Sequence, residues 1–289
     1  MTAVGGRATA VRAAAPARPA APPRTGPGRS VRELADDLRR LGVRPGETLL
    51  VQSSLRSIGP VAEGARGVVK ALGEALGADG TLVVYTATPE NSRTSPYYRA
   101  ATAGLTPAQL DEYHDRMPAW DAATTPASPT MGLLAETVRR TPGALRSPHP
   151  QTSFTALGPA AAELTGVHPL ASHLGEGSPV RRLYDSPARC LMIGVPVWCC
   201  TPLHLLEYWQ PDRRPQDYSC VVRTPDGGRR WERFTGTRLE DAHFPAMGVQ
   251  LSRGLAELVE GRLGDADCFL MPIREAIDLA DNWYRDRDN

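Results

Sequence analysis

The sequence predicts an α/β domain, and two features carry that expectation: a strand–helix–strand unit near residue 50 and another apolar strand much further along, at 189–196. Thr48–Gln52 (TLLVQ) is an apolar run of strand length, Gly64–Leu76 sets Val68, Val69, Leu72 and Leu76 on one helical face, and Thr81–Thr86 (TLVVYT) is the next strand. A crossover of this kind makes the two strands parallel and implies a covered sheet.

The remaining elements follow in order. Segment 30–42 (SVRELADDLRRLG) has Val31, Leu34, Leu38 and Leu41 at helical spacing, Ser30 as N-cap and Gly42 at the exit. Residues 87–130 are rich in Pro, Thr and Ser and read as a long irregular loop, of a length that is usually functional. A helix is expected over 131–140, a short strand over 152–157, the strand RCLMIGVP over 189–196, and a helix over 202–210. Residues 219–234 read as a hairpin turning at Asp226-Gly227-Gly228, and Ile273, Ala276, Ile277 and Ala280 mark a C-terminal helix. No internal repeat is visible, so residues 30–289 are read as one domain with insertions. Residues 1–29, rich in Ala, Pro, Gly and Arg, are read as a disordered tail.

Composition narrows the function. With a formal net charge of +1, the chain has no global field for nucleic acid or an anionic membrane. Its 5 cysteines are odd in number and lack CxxC spacing, which fits reduced cytoplasmic thiols better than a disulfide framework or a zinc site. No apolar stretch approaches the roughly 20 residues of a membrane helix. A cytoplasmic protein, monomer or homodimer, is the expectation.

Four stretches could carry chemistry. Gln52 through Pro60 joins a strand to a helix through hydroxyls and small residues, a geometry that suits a phosphate or a carbonyl oxygen, and equally an ordinary capped turn. His149 lies between Pro148 and Pro150, which pin its backbone. His168 and His173 share a Gly- and Pro-rich loop, and either could be a proton acceptor or a solvated residue. Thr201-Pro202 is a helix start, and His204 and Glu207 beyond it fall on one face, three residues apart. Histidine is the natural partner for a carboxylate among Leu203, Leu205 and Leu206. No ligand triplet with metal spacing is evident.

Taken in order, these stretches resemble the aminoglycoside 3-N-acetyltransferase family. The resemblance rests on Gln52-Ser53-Ser54-Leu55 through Gly59-Pro60, Asp79-Gly80-Thr81-Leu82, Thr125-Pro126 with Met131-Gly132, and Pro142 through Pro150. It continues through Ser153–Pro159, His168–Pro179 and Leu203–Tyr208, covering about residues 30–285. It implies a three-layer α/β sandwich with a central mixed, mostly parallel sheet and long insertions. It implies acetyl-CoA as donor and a small-molecule amine as acceptor, the 3-amino group of an aminoglycoside's deoxystreptamine. Carried over by position, it assigns Ser53, Ser54, Leu55, Ser57, Gly59, Thr125, Met131 and Ser153 to the coenzyme. His168 and Glu207 become the catalytic pair, His149 a supporting neighbour.

Chemistry supplies the expected mechanism. An ammonium cannot attack a thioester until it loses a proton, which His168, oriented by Glu207, would take. Backbone N–H groups or the Thr201 hydroxyl would stabilise the oxyanion. No acyl-enzyme is required. The chain departs from the family pattern at Gln52, where histidine is usual, at Ala171 and Ser172, where an acid is often found, and at Trp198-Cys199-Cys200, which replace a polar loop. Trp198 suggests a more apolar acceptor pocket, hence an alternative: a biosynthetic acyltransferase of the same fold acting on another natural-product amine.

Overall fold

In the computed structural model, which describes residues 28–287, the first helix closes as its sequence dictates. The Ser30 hydroxyl accepts from the Glu33 N–H, the Glu33 carboxylate accepts from the Ser30 N–H, and α1 (Val31–Arg40) buries Leu34, Ala35 and Leu38. The predicted tail lies outside the described residues except at its end, where Arg29 bridges to Val61 and pairs with Asp265 at 3.1 Å.

The strand–helix–strand unit is present as β1 (Thr48–Ser53), α2 (Gly64–Leu76) and β2 (Thr81–Tyr85), with Leu49 opposite Leu82 in parallel register. Strand β5 (Arg189–Ile193) lies parallel on the other side of β1. Every other pairing is antiparallel: β3 (Leu145–Arg146) on β4 (Phe154–Leu157), β4 on β2, β9 (Ala266–Pro272) on β5, and β8 (Val259–Leu263) on β9. The order is β3-β4-β2-β1-β5-β9-β8. The sheet is therefore mixed, but the expectation of a mostly parallel one is corrected: only the two pairings of β1 are parallel. The tight Gly264-Asp265 turn between β8 and β9, with Gly264 at φ +60°, permits only an antiparallel return.

Alternation along the strands builds three layers. Leu49 and Val51 face one core with Leu82, Val84, Leu191 and Ile193, while Leu50 faces the other with Val83, Cys190 and Met192. The first core is covered by α1, α2 and α5 (Gly132–Arg139). The second is covered by α6 (Ala161–Thr165), α7 (Pro179–Asp185), α9 (Phe244–Gly254) and α10 (Ile273–Arg287).

Three expectations are revised locally. The stretch 87–130 holds α3 (Pro96–Thr102) and α4 (Pro107–Arg116), capped by the hydroxyls of Ser95 and Thr106. The helix expected over 202–210 opens as a tighter 3₁₀ turn, Thr201–Leu205, before α8 (Leu206–Trp209), and nearly every side chain of that turn is buried. The hairpin is longer than expected, with β6 (Pro215–Arg223) and β7 (Arg229–Thr237) joined through Gly227 at φ +86°. It docks on the 87–130 segment. The Asn91 side chain donates to the Val221 carbonyl and accepts from the Val221 N–H, both at 2.9 Å, and the Trp120 N–H donates to that same carbonyl at 2.9 Å.

Candidate active site

A cavity of about 230 Å³ opens at the carboxyl ends of β1, β2 and β5, where open α/β sheets place their ligands. Its walls include Ser53, Tyr85, Met131, Cys199 and Thr201. Gln52 joins them from the end of β1 and grips Thr201: its Nε2 donates to Thr201 Oγ1 at 2.7 Å, and its Oε1 accepts from the Thr201 N–H at 2.9 Å. Ser53, Met131 and Thr201, drawn from three separate sequence motifs, thus meet at one cavity. Burial pushes the Cys199 thiol up to about 11, with Cys200 adding to the shift, so it stays protonated at neutral pH.

The other residues assigned to the coenzyme are placed differently. The Ser54 N–H donates to Ile193 O at 2.8 Å, and the Ser57 N–H to Ser54 O at 3.0 Å, forming the turn that leads Leu55 onto the first core. Gly59 has φ +83°, and a Cβ there would lie 2.6 Å from Asp265 Oδ2. Ser153 is fully buried: its hydroxyl donates to Thr86 O and accepts from Arg146 Nε, each at 2.8 Å. Thr125 lines a second cavity of about 380 Å³, together with Glu90, Tyr113, Met117 and Trp120. Sequence reasoning passed over Arg146. Its guanidinium, lowered to about 10 by burial, binds the carbonyls of Thr86 and Thr125 and lies 5.3 Å from the Trp120 ring centroid.

Three of the four candidate histidines form one buried cluster, with the His149 ring centroid 4.5 Å from His168 and 4.7 Å from His173. Their partners fix their tautomers. His149 Nδ1 accepts from the N–H groups of Gln151 and Thr152, so Nε2–H donates to Leu170 O. His168 Nε2–H donates to His173 O at 2.8 Å, leaving Nδ1 to accept from the Ser147 hydroxyl at 2.9 Å. His173 Nε2–H donates to Gln151 Oε1, and its Nδ1 has no hydrogen-bond partner. Burial lowers all three, His149 to about 4 and the other two well below the ordinary value, with neighbouring imidazoles adding to the effect on His168 and His173.

Glu207 is also buried, but it pairs with His204, its neighbour on the helix face, rather than with His168, the pair that the resemblance implies. His204 Nδ1 lies 3.0 Å from Glu207 Oε2, and the Glu240 N–H donates to Oε1 at 2.7 Å. The i, i+3 spacing noted in the sequence makes this pair, whereas both ring nitrogens of His168 are engaged elsewhere. Glu207 lines a third, polar cavity of about 740 Å³ with Asp212, Arg213, Arg238 and Glu240. Of the acids in the 87–130 segment, Glu90 faces a cavity, Asp121 accepts from the Ala123 and Thr124 N–H groups, and Glu112 pairs with Arg116. Trp198, expected to shape an acceptor pocket, packs against α9, where a Cβ at Gly248 would lie 2.7 Å from its side chain. Among the described residues no helix is long and apolar enough to cross a membrane.

Comparison with known proteins agrees with this architecture. The family model for aminoglycoside 3-N-acetyltransferase matches residues 50–285. Aminoglycoside N(3)-acetyltransferase III of Serratia marcescens is 39% identical over 206 residues, covering 70% of this chain and 74% of that protein. The crystal structure of YokD from Bacillus subtilis superposes with a TM-score of 0.83 at 30% identity, covering 90% of this chain and 95% of that one. AAC-IIIb in a binary complex with CoASH superposes with a TM-score of 0.77 at 27% identity, covering 90% and 97%. The chain belongs to the aminoglycoside 3-N-acetyltransferase family.

Proposed function

We propose that the protein transfers the acetyl group of acetyl-CoA to the 3-amino group of an aminoglycoside's deoxystreptamine ring, by direct attack without an acyl-enzyme. The observation that carries this reading is the meeting of Ser53, Met131 and Thr201 at the strand-end cavity. At about 230 Å³ it is smaller than a typical whole-ligand pocket and suits the narrow thioester end of the donor. The CoASH bound by AAC-IIIb and the name of the Serratia relative support the donor and acceptor classes.

In this reading the substrate ammonium gives one proton to an imidazole, which passes it to solvent, and the free amine gives a second to the same imidazole as it attacks the thioester carbonyl. The Thr201 hydroxyl donates to the developing oxyanion. The C–N bond forms, the C–S bond breaks, and the CoA thiolate recovers the proton from the imidazolium. Cys199, protonated at neutral pH, does not compete as nucleophile. The Ser53–Gly59 turn and the Thr125–Met131 segment flank the coenzyme. The family resemblance gives the base as His168 with Glu207. Since both ring nitrogens of His168 are bound, its service as base requires the His168–Ser178 loop to move or Ser147 to relay the proton through Oγ.

The 3.0 Å bond between His204 and Glu207 favours a second reading of the base. There the carboxylate holds Nδ1–H and leaves Nε2 as proton acceptor. Release of CoA thiol from acetyl-CoA, measured over a panel of aminoglycosides and simple amines, tests the function. Turnover with a deoxystreptamine compound is expected, and acetyl-CoA binding without any aminoglycoside turnover refutes the acceptor assignment. His168→Ala and His204→Ala then assign the base: loss of about 100-fold or more in kcat is expected for the residue that serves.

A further inference from the structure

We propose that Gln52 is a positioning residue for acetyl transfer, fixing the Thr201 hydroxyl as a hydrogen-bond donor aimed into the strand-end cavity. The inference rests on the acetyl-transfer reading above. The orientation of the Gln52 amide follows from chemistry alone. The Thr201 N–H can only donate, so the atom facing it at 2.9 Å must be the carbonyl oxygen, Oε1. The amide NH₂ then faces Thr201 Oγ1 at 2.7 Å and must donate to it.

This arrangement occupies Thr201 as acceptor and leaves its own hydroxyl hydrogen without an acceptor among the described residues. Thr201 borders the cavity with Ser53 and Met131, and that hydrogen is available to an oxygen placed there. The support is rigid: β1 is held between β2 and β5, and 149 residues separate the two ends of the clamp. A free threonine hydroxyl would rotate among its staggered positions and act as donor or acceptor. Clamped by an uncharged amide that takes one of its two lone pairs, the hydroxyl keeps its hydrogen turned away from the amide, and a donor that needs no reorganisation during the reaction is what an oxyanion requires.

The decisive variant is the near-isosteric Gln52→Glu. A carboxylate still accepts from the Thr201 N–H but also accepts the hydroxyl hydrogen, turning it out of the cavity. The expected result is a fall of about 100-fold in kcat, with acetyl-CoA affinity by calorimetry changed by less than about twofold. Thr201→Val should lose about as much, and Thr201→Ser should restore most of the rate. Adding Gln52→Glu to Thr201→Val should cost nothing further, because the amide acts only through the hydroxyl. Gln52→Met removes both bonds without adding a charge and should give a smaller loss in the same sense. Unchanged kcat in Gln52→Glu, or losses that multiply in the double variant, overturn the assignment in an otherwise active enzyme. A wild-type protein that releases no CoA with any amine overturns the acetyl-transfer reading as well.

Discussion

His204 Nδ1 lies 3.0 Å from Glu207 Oε2, one helical step away, in a structure where His168 binds Ser147 and the His173 carbonyl instead. A carboxylate so placed selects one imidazole tautomer. Glu207→Gln reverses that selection if its amide NH₂ turns toward His204 while its oxygen keeps the Glu240 N–H. Nδ1 then becomes the acceptor, and Nε2 carries the proton. We expect kcat to fall about 100-fold with little change in acetyl-CoA affinity. A variant with undiminished kcat would remove Glu207 from the mechanism.

The buried imidazoles set an acid limit on stability. His149 ionises at about 4 in the fold against 6.5 as an ordinary side chain, and His168 and His173 are lowered as well. Above 6.5 neither the folded nor the unfolded chain is protonated at these rings, and they add no pH slope. As pH falls below 6.5, the unfolded chain gains protons first, so folding stability declines until the folded rings titrate. His149 alone accounts for roughly 3 kcal/mol by pH 4. Urea unfolding at pH 7.5, 6 and 5 should show falling midpoints, with a shallower decline in His149→Gln. Midpoints that stay level through this range contradict the neutral cluster.

Thiol labelling should be slow and confined. Cys190, Cys200, Cys220 and Cys268 are buried, and Cys199 is only partly accessible. With its thiol near 11, Cys199 should react with iodoacetamide at a rate rising about tenfold per pH unit between pH 7 and 9. A fast, pH-independent modification near neutrality would indicate a thiolate and reopen the possibility of an acyl-enzyme.

Gly59 should resist substitution for reasons of shape. Its φ of +83° lies where side chains are strained, and a Cβ would press on the Asp265 carboxylate that also meets Arg29. Gly59→Ala should cost about 2 kcal/mol in unfolding free energy. A cost below about 0.5 kcal/mol would mean that the turn relaxes freely.

Much of this architecture was legible in the sequence where a local rule decided it. Ser30 and the helical spacing of Val31, Leu34, Leu38 and Leu41 spelled the first helix, and the apolar runs of β1 and β2 flanking α2 spelled a parallel pair. The α4 helix escaped because it buries no side chain and has no apolar stripe, although Thr106-Pro107 carries the same opening signal as Thr201-Pro202. Strand direction for β4 escaped because an apolar run reads alike either way along a sheet, and β8 and β9 were not read from the sequence at all. At the site, the three-residue spacing of His204 and Glu207 was readable. The grip of Gln52 on Thr201 was not, since it spans 149 residues and depends on β1 and β5 lying side by side.

Asn91 has a consequence for how molecules meet one another. Its side-chain amide reproduces, at Val221, the donor and acceptor that a neighbouring strand would offer, and Trp120 extends the imitation to Arg223. A two-stranded ribbon such as β6–β7 would otherwise present an open edge to the same ribbon of another molecule. Here Asn91, with the Trp120 backbone beside it, acts as a stopper on that edge, so Asn91→Ala should show itself first as self-association on storage at high concentration.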